Sequence, residues 1–453
     1  MQQSLYKYLP DSWIDFSSKE DDGRENYIAH VDFWNSVQLE GINQRRLLRI
    51  IDRTVKSFGN TSGFPTEINE STCQVLTPKI SEQDRAIVAS ISPLTFVCSC
   101  GDTKIYKDAN AFEKYGRGKK CKCGGKYEQL QFIQFCRCGF AAPLKIIPCK
   151  QHGFEAIKRT DTRWNFICDI CKQPLGTRRK CENNCATSSD VWPPKVATDN
   201  SHFCPFTLSL IDLLDKGADE FIDNEKGFKG EKTIIAQYLG YISQEEFKEV
   251  LKKRRIVDDV GLEAELEAKR KELEAIDVDE TTVQLILEKL RISHSKNNVR
   301  MSLAKIDKVF ASFNEDKIRP TVEQILEYDE LITSPSQLSL EQASKDVATI
   351  NDGYEKDFKA TAEAFGFLNA RVCSNIPIVS AAYGYTCKER EGDDVVLHGL
   401  KAETAKKNIY AVKLETEGVL FEFDRARILH WLKDNGFLVE EDMPRQWDEE
   451  SLK

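Results

Sequence analysis

The sequence has little of several features that mark particular classes of protein. None of its 453 residues lie in an uncharged apolar run of about 18, the length that a transmembrane helix needs. The first residues, MQQSLYKYLPDSW, lack the apolar stretch of a signal peptide. Histidine occurs only six times, and the sequence contains no HxxxH pair, the spacing that marks many catalytic zinc sites. The lack of a transmembrane run and of a signal peptide predicts a cytoplasmic protein with no membrane partner.

Motifs of nucleotide-driven enzymes are also missing. The segment 227–233 (GFKGEKT) matches a phosphate-binding loop poorly, because Glu231 separates Gly230 from Lys232 and no strand precedes it. The segment 278–282 (VDETT) is acidic like a helicase motif but lies between helical stretches. The sequence therefore predicts a protein that is not an enzyme and has no small-molecule substrate. The alternative is a nuclease or modification enzyme of unrecognised type.

Cysteine, by contrast, is abundant and unevenly placed. Eleven of the 15 cysteines lie between Phe96 and Cys185. The same window carries 18 Lys+Arg and 8 Asp+Glu, a net charge of +10, whereas the whole chain has −9. Such a local basic patch is what nucleic-acid binding requires, although the cations could equally be the solvated surface of a small module. In a reducing cytosol, closely spaced cysteines indicate metal ligands rather than disulfides.

The spacing of these cysteines predicts three zinc sites. Each offers four protein ligands and leaves no open position for a catalytic water, so we expect about three structural zinc ions that contribute folding free energy. The predicted ligand sets are Cys98, Cys100, Cys121 and Cys123; Cys136, Cys138, Cys149 and His152; and Cys168, Cys171, Cys181 and Cys185.

Basic residues cluster in the loops between these ligands. Loops held by zinc could present them to phosphates, with Tyr115 available to stack on a base; solvated charge is the alternative. The predicted nucleic-acid contacts are Lys114, Arg117, Lys119, Lys120, Lys122, Lys126, Arg178, Arg179 and Lys180.

The rest of the chain divides by composition and by the period of its apolar residues. Apolar residues at spacings of three and four predict helices from about residue 206, and later β-branched and aromatic runs predict strands. Asp424 is placed to cap a helix that Gly436 ends. The fold class expected is α+β and multidomain, with a zinc-ribbon-like cysteine module, a helical middle region and a small C-terminal β-rich domain. The predicted divisions are 1–95 (N-terminal α/β region), 96–186 (basic multi-zinc module), 187–366 (linker and helical region), 367–440 (β-rich domain with a closing helix) and 441–453 (acidic tail).

Six segments in the same order resemble the DrmB family, the helicase-associated subunits of DISARM-type antiphage systems of bacteria, with this chain as a short or split relative. The family has apolar strands followed by cysteine elements, then a Glu-Tyr helix and two later strand motifs. The matching segments are FIQFCRCGF (132–140), CDIC with CENNC (168–185), NSHFCPFTLSLIDL (200–213), ILEYDELI (325–332), RVCSNIPIVSAAYGYTCKE (371–389) and TEGVLFEFDRARILHWL (416–432).

The resemblance implies a non-enzymatic subunit of a defence complex, one that docks on a superfamily 2 helicase and helps it engage DNA. The acidic remainder of the chain suits a protein partner, and the basic module suits DNA. The alternative is a stand-alone zinc-ribbon protein that binds nucleic acid, for example a regulator, which would need no helicase partner.

Overall fold

The computed structural model is an α+β protein with clustered cysteines and a β-rich C-terminal part, as the sequence predicts. Within the residues that it describes, no helix combines the length and apolar character needed to cross a membrane. The described residues are 2–20, 23–79, 86–161, 163–178, 181, 183, 185, 193–199, 201–213, 234–239, 315–333, 336–339, 360–387, 395–402 and 404–440, with isolated positions between 243 and 287 and at 443.

The elements are numbered along the chain. The first are α1 (Gln2–Lys7), β1 (Trp13–Glu20), β2 (Gly23–Trp34), β3 (Ser36–Gln38), α2 (Gln44–Ser57), β4 (Thr61–Ser62), β5 (Cys73–Pro78) and β6 (Ile87–Ile91). The cysteine-rich part contains β7 (Thr95–Cys98), β8 (Asp102–Ile105), α3 (Ala109–Tyr115), β9 (Tyr127–Gln129), β10 (Phe132–Phe135), β11 (Ala141–Pro143), β12 (Ile157–Arg159), β13 (Phe166–Cys168) and β14 (Pro174–Leu175). The remainder contains β15 (Lys195–Val196), β16 (Cys204–Ile211), α4 (Glu315–Thr333), β17 (Ser336–Ser339), β18 (Phe367–Cys387), β19 (Val396–Gly399), β20 (Lys407–Phe423) and α5 (Arg425–Asp434).

The chain divides into two compact units. The first is formed by Met1–Asp212 and Ile378–Leu414, and the second by Leu213–Pro377 and Glu415–Lys453. The first unit thus combines two stretches that are far apart in the sequence, and it contains all twelve predicted metal ligands. The five-part division expected from composition stays a prediction.

Helix α2 packs on the largest sheet of the first unit, whose strand order is β3-β5-β20-β18-β19-β4 with β16 also paired to β18. The helix begins after Asn43, whose side chain accepts the N–H of Arg46 at 3.0 Å. It buries Leu47, Leu48 and Ile51 in a cluster that includes residues of β5, β18 and β20. Removal of these side chains from water stabilises the joining of the two stretches.

A second sheet of the first unit positions two of the cysteine groups. Its strand order is β14-β13-β12-β8-β7-β9. Strand β12 pairs antiparallel with β8 through Lys158 and Asp102, and with β13 through Ile157 and Cys168. Because these strands alternate in direction, the turn after β7 and the turn after β13 lie at opposite ends of the sheet. Two smaller sheets have the orders β1-β2-β6 and β11-β10-β15.

The prediction of a helical pattern from about residue 206 is wrong at residues 206–211, which belong to strand β16 (Cys204–Ile211), and at strand β17 (Ser336–Ser339). Strand β16 pairs antiparallel with β18 through contacts such as Leu208 with Ala381. A partner some 170 residues away along the chain overrides a weak local preference, which is why the period of the apolar residues did not reveal it. Helix α4 agrees with the prediction, and much of the rest of this region lies outside the described residues.

The predicted C-terminal strands and closing helix are confirmed as β18, β19, β20 and α5. The side chain of Asp424 accepts the N–H of Arg427 at 3.2 Å, which caps the first turn of α5. Gly436 has a φ of +75° and ends the helix, and the N–H of Phe437 donates to the Leu432 carbonyl at 2.9 Å. The predicted acidic tail lies almost wholly outside the described residues.

Candidate metal centres

The first four predicted ligands form one cluster, which we call the first centre. Cys98 Sγ lies 3.4 Å from Cys123 Sγ, and Cys100 Sγ lies 3.6 Å from Cys121 Sγ. All four sulfurs lie within 4.8 Å of one another. The separations are far longer than a disulfide bond of about 2.05 Å. They approach the edge of roughly 3.8 Å expected for a tetrahedron of sulfurs about 2.3 Å from a central metal.

Two tight turns hold these sulfurs. The N–H of Gly101 donates to the Cys98 carbonyl at 2.7 Å, and the N–H of Gly124 donates to the Cys121 carbonyl at 2.8 Å. Gly101 has a φ of +90°, and a Cβ added there would lie 2.4 Å from the carbonyl oxygen of Arg159 on β12. Only glycine fits this position, so the sheet and the first centre depend on the same residue.

Two residues beside the first centre were missed by the sequence analysis. The Tyr127 hydroxyl donates to Asp102 Oδ2, and Cys121 Sγ lies 3.7 Å from the same oxygen. Burial raises the pKa of Tyr127, and the hydrogen bond to Asp102 raises it further, so the phenol keeps its proton. Such contacts orient a ligand. The spacing of the cysteines gives no sign of Tyr127, which is brought in by β9.

The second centre corrects the sequence prediction. Cys136 Sγ lies 3.5 Å from Cys185 Sγ, and Cys138 Sγ lies 3.4 Å from Cys181 Sγ. These four sulfurs lie within 4.8 Å of one another. The spacing along the sequence predicts that Cys136 and Cys138 share one site with Cys149 and His152. That prediction is wrong, because the partners of Cys136 and Cys138 are Cys185 and Cys181.

The second centre packs on the largest sheet of the first unit. The Tyr385 hydroxyl of β18 donates to the Gly139 carbonyl at 3.1 Å. A Cβ added at Gly139, where φ is +87°, would lie 2.6 Å from that hydroxyl and 3.1 Å from the ring of His398 on β19. Strands from the second sequence stretch of the first unit, Ile378–Leu414, thus fix the turn that carries Cys138.

The third centre combines one imidazole with three thiols. Cys149 Sγ lies 3.7 Å from both Cys171 Sγ and His152 Nδ1, and Cys168 Sγ lies 3.5 Å from the same nitrogen. All four atoms lie within 4.8 Å of one another. The sulfur–nitrogen separations match an edge of roughly 3.6 Å for tetrahedral zinc. Nδ1 is therefore the atom through which His152 would bind a metal ion.

The second and third centres are nested, which is the physical reason for the incorrect pairing. Pairing of β12 with β13 sets Ile157 opposite Cys168 and so brings the Cys-x-x-Cys turn to the Cys-x-x-His turn. All ligands of the third centre lie in the chain segment between Cys138 and Cys181, which the second centre closes into a loop. Any two such turns supply four ligands, so spacing alone cannot distinguish neighbouring pairs from nested ones.

Backbone N–H groups favour the thiolate form at some ligands. The N–H groups of Gln151 and His152 lower the pKa of Cys149 to about 6, and the N–H of Cys123 lowers the pKa of Cys121 to about 7. Turns that aim N–H groups at sulfur prepare these cysteines to bind a cation.

Other ligands resist ionisation because they are buried beside thiols. Burial, followed by the neighbouring Cys138 thiol, raises the pKa of Cys181 to about 11. Burial also raises the pKa of Cys136. Four thiolates this close repel one another, so full ionisation requires a cation among them. The described residues thus contain three closed groups suited to a tetrahedral divalent ion.

Most of the predicted phosphate contacts surround the first centre. Lys119, Lys120 and Lys122 are exposed. An antiparallel backbone β-bridge between Lys120 and Lys126 closes the loop that carries Cys121 and Cys123. On α3, Lys114 Nζ lies 5.0 Å from the ring centre of Tyr115, which is 59% exposed. These side chains form a cationic surface with one accessible aromatic ring. We call this surface the basic loop; its members are Lys114, Tyr115, Lys119, Lys120, Lys122 and Lys126.

The remaining predicted contacts differ among themselves. Arg117 is half-buried, pairs with Glu113 at 3.2 Å and lies over the ring of Tyr27 at 5.7 Å, so its charge is engaged within the fold. Arg178 is exposed, and its N–H donates to the Lys145 carbonyl at 2.8 Å. The predicted contacts Arg179 and Lys180 lie outside the described residues.

Comparison with known families gives a match that covers the part of the chain that carries these centres. A family model described as a domain of unknown function (DUF8724) matches residues 1–205, a range that includes all twelve ligand residues. No functionally curated protein matches the chain.

Proposed function

We propose that the chain is a non-enzymatic, zinc-binding subunit of a cytoplasmic bacterial antiphage complex, in which it docks on a superfamily 2 helicase and engages DNA. The observation that carries the proposal is the set of three closed four-ligand groups in a segment with a net charge of +10. The helicase and the defence role come from the resemblance of six segments to the DrmB family.

Zinc is the ion that best suits these groups. Two sets of four sulfurs and one set of three sulfurs with an imidazole nitrogen are typical of structural zinc, and the separations fit its tetrahedral bond lengths. Each group is closed, so the ion would hold the fold rather than activate water. Elemental analysis of the purified chain should find about three zinc ions. A preparation without zinc, or one with the absorption of an iron–sulfur cluster, would contradict the assignment.

The basic loop supports contact with a phosphate backbone. The decisive variant replaces Lys119, Lys120 and Lys122 by Glu and leaves every ligand intact. Binding should weaken alike for all sequences, because phosphate contacts carry no base information. The log–log salt slope should flatten by roughly 0.7–0.9 for each lost contact. Zinc content should not change.

A matched control carries the same change of charge elsewhere. Lys56, Lys271 and Lys401 have exposed side chains in ion pairs, each of which contributes little stability. Because each new Glu meets its former acidic partner, the melting temperature of the control is measured alongside binding. If this control weakens binding as much as the basic-loop variant, the effect reflects overall charge. If neither variant affects binding, the basic loop does not contact nucleic acid.

The alternative is a stand-alone zinc-ribbon protein that binds nucleic acid, for example a regulator. The basic module with three closed ligand groups supports it, since binding nucleic acid through that module would not require a helicase. Affinity purification from native cells distinguishes the two, because a subunit should retain a helicase. Neither function predicts ATP hydrolysis by the purified chain, and robust ATPase activity without helicase would contradict both.

A further inference from the structure

The third centre carries an exposed apolar side chain on each of its two turns. Phe154 follows the ligand His152 by two residues and is 55% exposed. Ile170 lies between the ligands Cys168 and Cys171 and is 56% exposed. We call this pair the tip patch. Since both turns contribute side chains to the third centre, Phe154 and Ile170 are held beside the same centre.

The turns beneath the tip patch are tightly hydrogen-bonded. Cys149 and Gly153 exchange both backbone hydrogen bonds, at 3.0 and 2.9 Å. The N–H of Lys172 donates to the Cys168 carbonyl at 2.8 Å, and the N–H of Asp169 donates to the Ala156 carbonyl at 2.8 Å, which joins the two turns. An apolar surface fixed in this way needs little ordering when it binds a ligand.

The tip patch is not the exposed edge of a poorly filled core. The neighbouring core is formed by other residues, Leu130, Leu144, Ile146, Ile157 and Phe166, which are all buried. Phe154 and Ile170 contribute instead to a surface that faces solvent.

The segment that carries the tip patch has a net positive charge. From Lys145 to Arg178 the chain has seven Lys and Arg against three Asp and Glu. Lys150 is exposed beside the ligand Cys149, whereas Lys172 pairs with Asp169 at 2.6 Å. Apolar rings that accept base faces, combined with cations that follow the backbone, are what proteins use to bind single strands. In a duplex the base faces are stacked on one another and are not offered to a protein side chain.

We propose that Phe154 and Ile170 form a stacking site for an unpaired base, so that the third centre binds single-stranded nucleic acid. The inference rests on the proposed nucleic-acid function and specifies the form of the strand. The basic loop at the first centre supplies phosphate contacts, and the tip patch at the other end of the same sheet supplies preference for a single strand.

The test uses the full chain loaded with zinc, a labelled dT20 oligonucleotide and a blunt duplex of the same length. Phe154→Ala should weaken binding of the single strand by about 5- to 150-fold, the loss expected for one stacked base. Binding of the duplex should change by less than about twofold, and the salt slope should stay the same, because no phosphate contact is lost. Phe154→Trp should restore binding of the single strand, since it keeps a stacking surface.

Phe437→Ala is the matched control, because it removes a phenylalanine that is 68% exposed in the second unit. Equal losses on single strand and duplex, or no loss for a Phe154→Ala protein that keeps its zinc, would overturn the inference while leaving the proposed function intact. A wild-type chain that binds neither probe would instead refute the proposed function. Unchanged binding together with loss of a co-purifying protein would make the tip patch a protein-docking surface and overturn the inference.

Discussion

Replacing Gly125 by alanine should weaken metal binding at the first centre without removing any ligand. A Cβ added at Gly125 would lie 2.7 Å from Cys98 Sγ and 3.3 Å from Cys123 Sγ. For an ordinary contact of about 3.5 Å, the Cys98 sulfur must move by roughly 0.8 Å. This is several times the tolerance of about 0.2 Å for a metal–ligand distance.

We expect the ion at the first centre to bind roughly 10- to 100-fold more weakly, as when the surroundings of a ligand are disturbed. The assay is competition with a coloured zinc chelator, followed by elemental analysis. One of the three ions should leave at a correspondingly lower concentration of chelator, and the other two should be unaffected because their turns lie elsewhere.

Gly124→Ala is the control, because Gly124 has a φ of +87° but open space around the added Cβ. It should cost about 1–2 kcal/mol of unfolding free energy through backbone strain while leaving the sulfur in place. If Gly125→Ala releases zinc like the wild type, or if Gly124→Ala releases it as readily as Gly125→Ala, the crowding argument is refuted.

In cobalt-substituted protein, Cys168→Ser should abolish the absorption of the site with three sulfurs and one nitrogen, whereas Cys181→Ser should leave it. If neither substitution abolishes this absorption, the pairing predicted from sequence is restored, because that pairing places both cysteines in a four-sulfur site. Gly101→Ala should lower both melting temperature and zinc content, because an added Cβ would lie 2.4 Å from a carbonyl oxygen of β12. Burial lowers the pKa of His202 from 6.5 to about 4, so its neutral form stabilises the fold fully above pH 6.5 and this contribution is lost as the pH falls toward 4. Urea denaturation should show a loss of about 2 kcal/mol between pH 7 and pH 5 that His202→Gln removes, at zinc contents checked to be equal.

The sequence predicts the features that depend on neighbouring residues. The Cys-x-Cys turns, the capping of α5 by Asp424 and the late β-branched strands all follow from local patterns, and the structure agrees. The sequence does not predict features set by distant partners, such as the pairing of β16 with β18 or the nesting of the second and third centres. Gly125 appears in the sequence only as the second glycine after a cysteine pair, and its contact with Cys98 requires the folded loop.

The union of Met1–Asp212 with Ile378–Leu414 has a consequence for biosynthesis. At about 5–20 residues per second, the roughly 165 residues between these stretches take on the order of 10–30 s to synthesise. During that interval the buried face of α2 and the turn around Gly139 lack the strands that cover them. A nascent chain therefore exposes apolar surface and incompletely supported thiols until residues 378–414 have been synthesised. For the same reason, residues 1–205, although a family model recognises them as a domain, lack β18, β19 and β20 and should aggregate when produced alone.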